Sequence, residues 1–168
     1  NFKLRDCVDF SNEALKEAKN KIGVKGKYYC GDFFKMNFKK SYFDCILSMH
    51  TIYHINRNKQ AEAVKKLLKL VKKNKPVIIV YSNPNTLISK IRSILPIKKK
   101  KSILYFYCHQ NNWWNQFSNL ADVKMLPWRS FSAQHQKILF PNNFIGSWFL
   151  KILFLLEDNF QNFFSKNF

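Results

Sequence analysis

Four short apolar runs, separated by helical patterns or polar turns, constrain this chain more than any other feature. The first runs from Leu4 to Asp9, and Ser11-Asn12-Glu13 then opens a helix. Ser11 is a helix-capping residue type, Glu13 suits the positive end of the helix dipole, and Ala14, Leu15 and Ala18 supply an apolar face. Gly23 and Gly26 bracket the turn out of that helix, and Lys27 to Cys30 is a second strand ending at Gly31-Asp32. Phe43 to Ser48 is a third, apolar almost throughout, as a strand buried on both faces is expected to be. Apolar residues at 61, 64, 67, 68 and 71 keep a helical period on a lysine-rich background, and Pro76 to Tyr81 is the fourth strand. Strands alternating with helices predict parallel βαβ units and an α/β sheet.

The 168 residues suffice for one hydrophobic core. Residues 1–141 are read as one Rossmann-like domain, with 83–117 as an insertion carrying Pro84, Pro96, a lysine run and an aromatic cluster. Within 1–141, Ala121 to Trp128 and Gln134 to Phe140 are expected to pair as an antiparallel hairpin. Residues 142–168 form a hydrophobic, Phe-rich helical tail. No stretch of eighteen apolar residues is free of charge, which argues against a conventional transmembrane helix. The chain starts at Asn1 rather than Met and shows no secretory leader, so it is read as processed or as a fragment.

Lysine and arginine total 29 against 10 acidic residues, a net charge of +19, which suits a polyanion or an anionic membrane surface. Only Arg5, Arg57, Arg92 and Arg129 are arginine, however, and arginine is the residue that reads phosphates and base edges with paired hydrogen bonds. Lys, Asn and Phe together account for 60 residues, and all three have A/T-rich codons. Codon drift raises all three at once, whereas selection for nucleic acid has no use for the Asn and Phe. The run Lys98 to Lys101 is the best local phosphate-contacting patch, although such a run is more often a solvated loop. Cysteines at 7, 30, 45 and 108 lack any Cys-x-x-Cys spacing, so no metal site is expected. Cys7, Cys30 and Cys45 lie in strand-like runs as small buried hydrophobes, and reduced thiols place the protein in the cytoplasm.

In open α/β sheets ligands bind beyond the carboxyl ends of the strands. Here those ends carry Asp9, Asp32, Ser48 and Ser82. One carboxylate can accept both hydrogen bonds of a ribose diol and the next can accept from an exocyclic amine, with Phe33 available to pack on a purine face. Each Asp is equally at home as a cap or turn residue.

In this order, VDFSNEALKEAKNK (8–21), YYCGDF (28–33), FDCILSMHTIYHI (43–55) and AVKKLLKLVKKNKPVIIVYSNPN (63–85) resemble the class I S-adenosylmethionine-dependent methyltransferases. The resemblance spans residues 4 to 82 and implies a Rossmann-like sheet. It implies that Asp9, followed by Ser11, binds the ribose and that Asp32 with Phe33 meets the adenine. Phe43 and Asp44 match the Phe-Asp that opens the family's fourth strand, and His54 matches the histidine ten residues on. Ser48 is assigned to the cofactor or acceptor pocket together with His50. The family's glycine-rich loop and the strand before it have no counterpart after Asn1, which implies an N-terminally incomplete sheet and the carboxy-terminal part of a longer protein. Its Pro-Gly-Gly turn before the following strand is replaced by Lys73-Asn74-Lys75, which Asn can replace because it tolerates a left-handed turn.

The implied reaction moves a methyl group from S-adenosylmethionine to a small-molecule acceptor, with His50 and His54 as candidate bases. For His54 a local structural hydrogen bond is the preferred reading. Tyr105, Tyr107, His109, Trp113 and Trp114 are candidates for an aromatic wall around a planar or lipid-like acceptor, and Trp113 or Trp114 individually reads more readily as core. The Asn-Pro-x-x-Tyr/Phe motif of DNA amino-methylating enzymes does not follow the third strand, which argues against nucleic acid as substrate. The tail is read as docking on the protein, with membrane-surface contact as the alternative. The competing function is a non-catalytic basic α/β module that binds nucleic acid or an anionic membrane. Four motifs in order are harder to reach by drift than a positive charge, so methyl transfer is the preferred reading.

Overall fold

The computed structural model describes residues 3–82, 105–126, 142–160 and 163, which fall into two compact units. The first unit comprises Asn1–Cys45 with Lys69–Pro76. In it, β1 (Arg5–Asp9) and β2 (Gly26–Cys30) pair in parallel, with Arg5 opposite Gly26 and Asp9 opposite Cys30. Helix α1 (Asn12–Ile22) joins them and packs on both strands, burying Leu15. Parallel neighbours require such a crossover, because a tight turn reverses the chain. Ser11 caps α1 as its sequence position implies: its Oγ accepts from the Ala14 N–H at 3.2 Å, and Glu13 occupies the first turn. Gly26 opens β2 where a Cβ would collide with the Tyr28 ring, whose hydroxyl folds back to donate to the Gly23 carbonyl at 2.9 Å.

The loop after β2 is held by aromatic edges, Tyr29 on Phe38 and Phe38 on Phe43, with ring centroids 5.2 and 6.0 Å apart. Phe43 forms an isolated parallel bridge to Val71, and Asp44 pairs with Lys72 at 2.8 Å. Lys72 holds the Asp44 carboxyl below the usual carboxylate range. Asn74 takes the left-handed conformation (φ 58°) in the turn where it replaces glycine, as expected.

The second unit comprises Ile46–Leu68 and Val77–Phe168. Its strands β3 (Ile46–Met49) and β4 (Val77–Val80) are also parallel, with Ile46 opposite Val77 and Met49 opposite Val80. Helix α2 (Arg57–Leu70) provides the crossover, and Asn56 Oδ1 accepts from the Asn58 N–H to start it. Its buried stripe is Gln60, Ala63, Val64 and Leu67, the i, i+3, i+4, i+7 spacing of a helix face. Ile52, Tyr53 and Phe117 complete this core. The C-terminal helix α3 (Phe144–Asn159) is capped by Asn143, whose Oδ1 accepts from the Gly146 N–H at 2.8 Å.

The α/β class with parallel strands is as expected, while several local expectations are not met. Beyond the Phe43–Val71 bridge the third run forms a ladder only over Ile46–Met49 and is not buried on both faces: Leu47, Met49 and, opposite Leu47, Ile78 are exposed. The reason lies in the pleat, which sends alternate residues to opposite faces, so Ser48 is buried while its neighbours are not. Cys30 is likewise exposed, at the carboxyl end of β2, whereas Cys7 and Cys45 are half-buried; all four cysteines are free thiols. The expected antiparallel hairpin is not seen: 121–126 is not a strand, the remainder of the hairpin lies outside the described residues, and both described sheets are parallel. The lysine run and the first part of the 83–117 segment also lie outside the described residues.

Candidate functional site

The first unit gathers Asp9, Ser11, Asp32 and Phe33 at the carboxyl ends of two hydrogen-bonded parallel strands. Gly31 N–H donates to the Asp9 carbonyl at 2.9 Å, carrying the β1–β2 pairing one residue past the strands. Gly31 has φ 136°, open to glycine and strained for other residues, and this turns the chain so that Asp32 leaves the strand direction. Asp9 Oδ1 accepts from the Ser11 N–H at 2.8 Å, and Asp32 Oδ1 accepts from the Phe34 N–H at 2.9 Å. In each case one carboxylate oxygen fixes the local turn, and the second accepts no hydrogen bond among the described residues. Asp9 is exposed and Asp32 half-buried, with Phe33 half-buried beside it.

This set of acceptors fits an adenosine. A ribose diol and an exocyclic amine both need acceptors with lone pairs to spare, and Asp9 and Asp32 supply them just beyond the carboxyl ends of paired parallel strands. Ser11 spends its hydroxyl on the helix cap and on Glu13 Oε2 at 3.3 Å, so it shapes the turn that holds Asp9.

The second unit holds the remaining expected residues. Ser48 is buried inside β3 opposite Ile79. His50 follows β3 in a left-handed conformation (φ 53°), sparsely populated for a side chain of this kind, and donates its N–H to the Val80 carbonyl at 3.2 Å. His54 Nδ1 is 2.7 Å from the carbonyl of Tyr105, 51 positions away, a long-range contact rather than the local hydrogen bond expected from the sequence.

The aromatic candidates are brought together by a polar network that the sequence does not reveal. The segment 105–109 runs beside Tyr53 and Tyr81: Tyr107 N–H donates to the Tyr53 carbonyl at 2.9 Å, and His109 N–H to Tyr81 Oη at 2.8 Å. At its centre Gln60, fully buried, donates from Nε2 to the Ile55 and Tyr107 carbonyls, both at 3.0 Å, and accepts from the Tyr81 hydroxyl at 3.2 Å. His109 stacks on Trp113 (4.2 Å, interplanar 5°), Trp114 meets Tyr81 edge-on, and the Arg57 guanidinium lies 4.8 Å over the Tyr107 ring.

Burial pushes Tyr81 up to about 12 and the Cys108 thiol up to about 11, and it pulls His109 down, assisted by the Arg57 charge. His109 Nε2 is buried without a hydrogen-bond partner among the described residues. Tyr81 and Gln60 were not singled out from the sequence. The only signal for Tyr81 was its place at the end of an apolar strand, and for Gln60 its polar character on an apolar helix stripe. Among the described residues no cluster of three or more His, Cys, Asp or Glu is positioned to hold a metal, and no helix is long and apolar enough to cross a membrane.

Comparison with known proteins follows the same outline. Residues 6–79 match the sequence model of a methyltransferase domain family. No curated protein matches this chain. A crystal structure from Bacillus halodurans, of a protein assigned to the methyltransferases, is 16% identical with a TM-score of 0.56; it covers 73% of this chain and 55% of its own. This chain thus spans little more than half of that protein, and the likeness establishes the fold. A protein of Pyrococcus horikoshii (17% identical, TM-score 0.43, covering 54% of this chain and 41% of that one) and the MccD protein (16%, 0.47, 96% and 68%) are looser matches and carry no argument. Residues 6–79 are thus similar to a methyltransferase domain, and the likeness to the solved structure is one of fold.

Proposed function

We propose that the complete protein transfers a methyl group from S-adenosylmethionine to a small-molecule acceptor. The observation that carries this reading is the pair of carboxylates, Asp9 ending β1 and Asp32 two residues past the end of its parallel partner β2, inside the methyltransferase-matching segment. Asp9 would hold the ribose diol and Asp32 the adenine amine, with Phe33 against the base. When bound, the cofactor supplies a methyl group activated by its sulfonium, so the protein's share is to bind, orient and exclude water.

Asp9 and Asp32 are each pre-set by a backbone N–H, which lowers the ordering entropy lost on binding. Within the second unit taken by itself, Tyr105 and Phe106 are exposed and Tyr107, Trp113 and Trp114 are half-buried. Such a surface suits a planar acceptor. His50, at the carboxyl end of β3, remains the candidate base; His54 has a ring nitrogen at the Tyr105 carbonyl.

Equilibrium dialysis of labelled S-adenosylmethionine against the complete protein tests the reading. Asp9→Ala and Asp32→Ala are each expected to weaken binding about tenfold or more, the value of a charge-assisted hydrogen bond. Asp9→Asn is the control for folding, because its side-chain carbonyl still accepts from Ser11 N–H. Unchanged affinity in both alanine variants removes the proposal.

A further inference from the structure

Helix α3 has two apolar sides, one buried and the other left exposed except at the half-buried Ile152. Gly146 and Glu157 are buried on one side, with Leu150, Leu153 and Phe154 half-buried near them. On the other, Phe144, Ile145, Trp148, Phe149, Leu155 and Leu156 are all exposed, with Phe144 at 86%, Trp148 at 53% and Phe149 at 49%. At 3.6 residues per turn these six fall within a sector of about 140°. No charged residue of α3 lies inside that sector: Lys151 and Asp158 flank it and Glu157 is on the buried side. An exposed apolar strip of this size on a helix marks an interaction surface.

We propose that this face of α3 lies in the interface of an anionic lipid bilayer. Two independent features select that occupant. The helix runs 16 residues, too short to span a bilayer core of about 30 Å at 1.5 Å per residue, and of a length to lie flat along its surface. Trp and Phe on its exposed face are the side chains that settle at the headgroup boundary.

The second feature is charge. The unit that carries α3 holds 15 lysines and arginines against 4 acidic residues, the run Lys98–Lys101 among them. Their codon usage fits genomic drift, but the field they produce is independent of how they arose. A positive field draws the protein to anionic headgroups, after which the apolar strip enters the boundary. A duplex or single-stranded nucleic acid uses the charge and leaves the apolar strip in water, so it accounts for half of the observation. The inference does not depend on methyl transfer, since none of the six residues belongs to the cofactor or acceptor surfaces.

The test is co-sedimentation of the 168-residue chain with phosphatidylcholine vesicles containing about one third phosphatidylserine, and with phosphatidylcholine alone. Binding is expected to the anionic vesicles, to be weaker to the neutral ones, and to fall as salt is raised. The double variant Trp148→Ser/Phe149→Ser is expected to weaken binding about tenfold or more, with an unchanged circular dichroism spectrum because both side chains stand half outside the protein. The conservative pair Trp148→Phe/Phe149→Leu should restore most of it. No sedimentation with anionic vesicles overturns the proposal, as does a double variant that binds like the parent. A concentration-dependent dimer, seen by analytical ultracentrifugation and abolished by the double variant while vesicles are ignored, overturns it in favour of a second copy of this chain.

Discussion

Replacing Gln60 by Leu tests whether the second unit is organised by its polar centre or by its apolar packing. Leucine nearly matches glutamine in volume, so the change removes hydrogen bonds without opening a large cavity. Three bonds disappear: two donations from Nε2, to the Ile55 and Tyr107 carbonyls at 3.0 Å, and the acceptance from the Tyr81 hydroxyl at 3.2 Å. Tyr81 Oη has a second acceptor, the Tyr107 carbonyl at 3.4 Å, so its hydroxyl is partly rescued. The Ile55 carbonyl loses its donor, while the Tyr107 carbonyl keeps the Tyr81 hydroxyl.

At about 1–3 kcal/mol for the Ile55 carbonyl left buried without a donor, and about 1 kcal/mol for the weakened Tyr81–Tyr107 pair, the expected loss is about 2–4 kcal/mol. For a chain of this length that lowers the melting temperature by roughly 5–15 °C. Thermal and urea unfolding of the parent, Gln60→Leu, Tyr81→Phe and the double variant measure it. Because Tyr81 and Gln60 share one bond, the double variant should fall short of the sum of the singles by about 1 kcal/mol. A Gln60→Leu protein within about 0.5 kcal/mol of the parent, or strictly additive variants, would refute the argument that this network positions the 105–109 segment.

Two further outcomes follow from the same unit. His109 sits below its ordinary value because burial, then the Arg57 charge, disfavours the imidazolium; Tyr81 and Cys108, both pushed up by burial, are neutral near pH 7. Its contribution to stability is therefore present above about pH 6.5 and lost as the pH falls through its lowered folded value, so melting temperatures between about pH 7.5 and pH 5.5 should drop more for the parent than for His109→Phe, and equal drops would contradict this assignment. Cys108, pushed up to about 11 by burial, should resist a thiol-specific reagent at about pH 8 while exposed Cys30 reacts, and peptide mass spectrometry showing equal labelling would exclude the described packing.

Much of the first unit is readable along the chain because its determinants are local. A strand ending in Asp, a Ser cap three residues before Ala14, and a Gly-Asp turn each act through neighbours a few positions away. Sequence order therefore carries Asp9, Ser11, Asp32 and the α1 boundaries almost unaided, and the same holds for Asn74 in its left-handed turn. Such signals survive in one dimension since capping and φ preference depend on the residue and its own backbone.

Tertiary structure decided the rest. Whether a strand is covered on one face or two depends on elements far away in sequence, so Leu47 and Ile78 look as buried in the sequence as Ser48 proves to be in the fold. Gln60 joins Ile55, Tyr81 and Tyr107 across up to 47 positions, and no periodicity encodes that partnership. The tail is legible as a hydrophobic helix, but which side of it stays in water is not. Helix period sorts residues into faces, while only the packing of the other elements determines which face is left exposed.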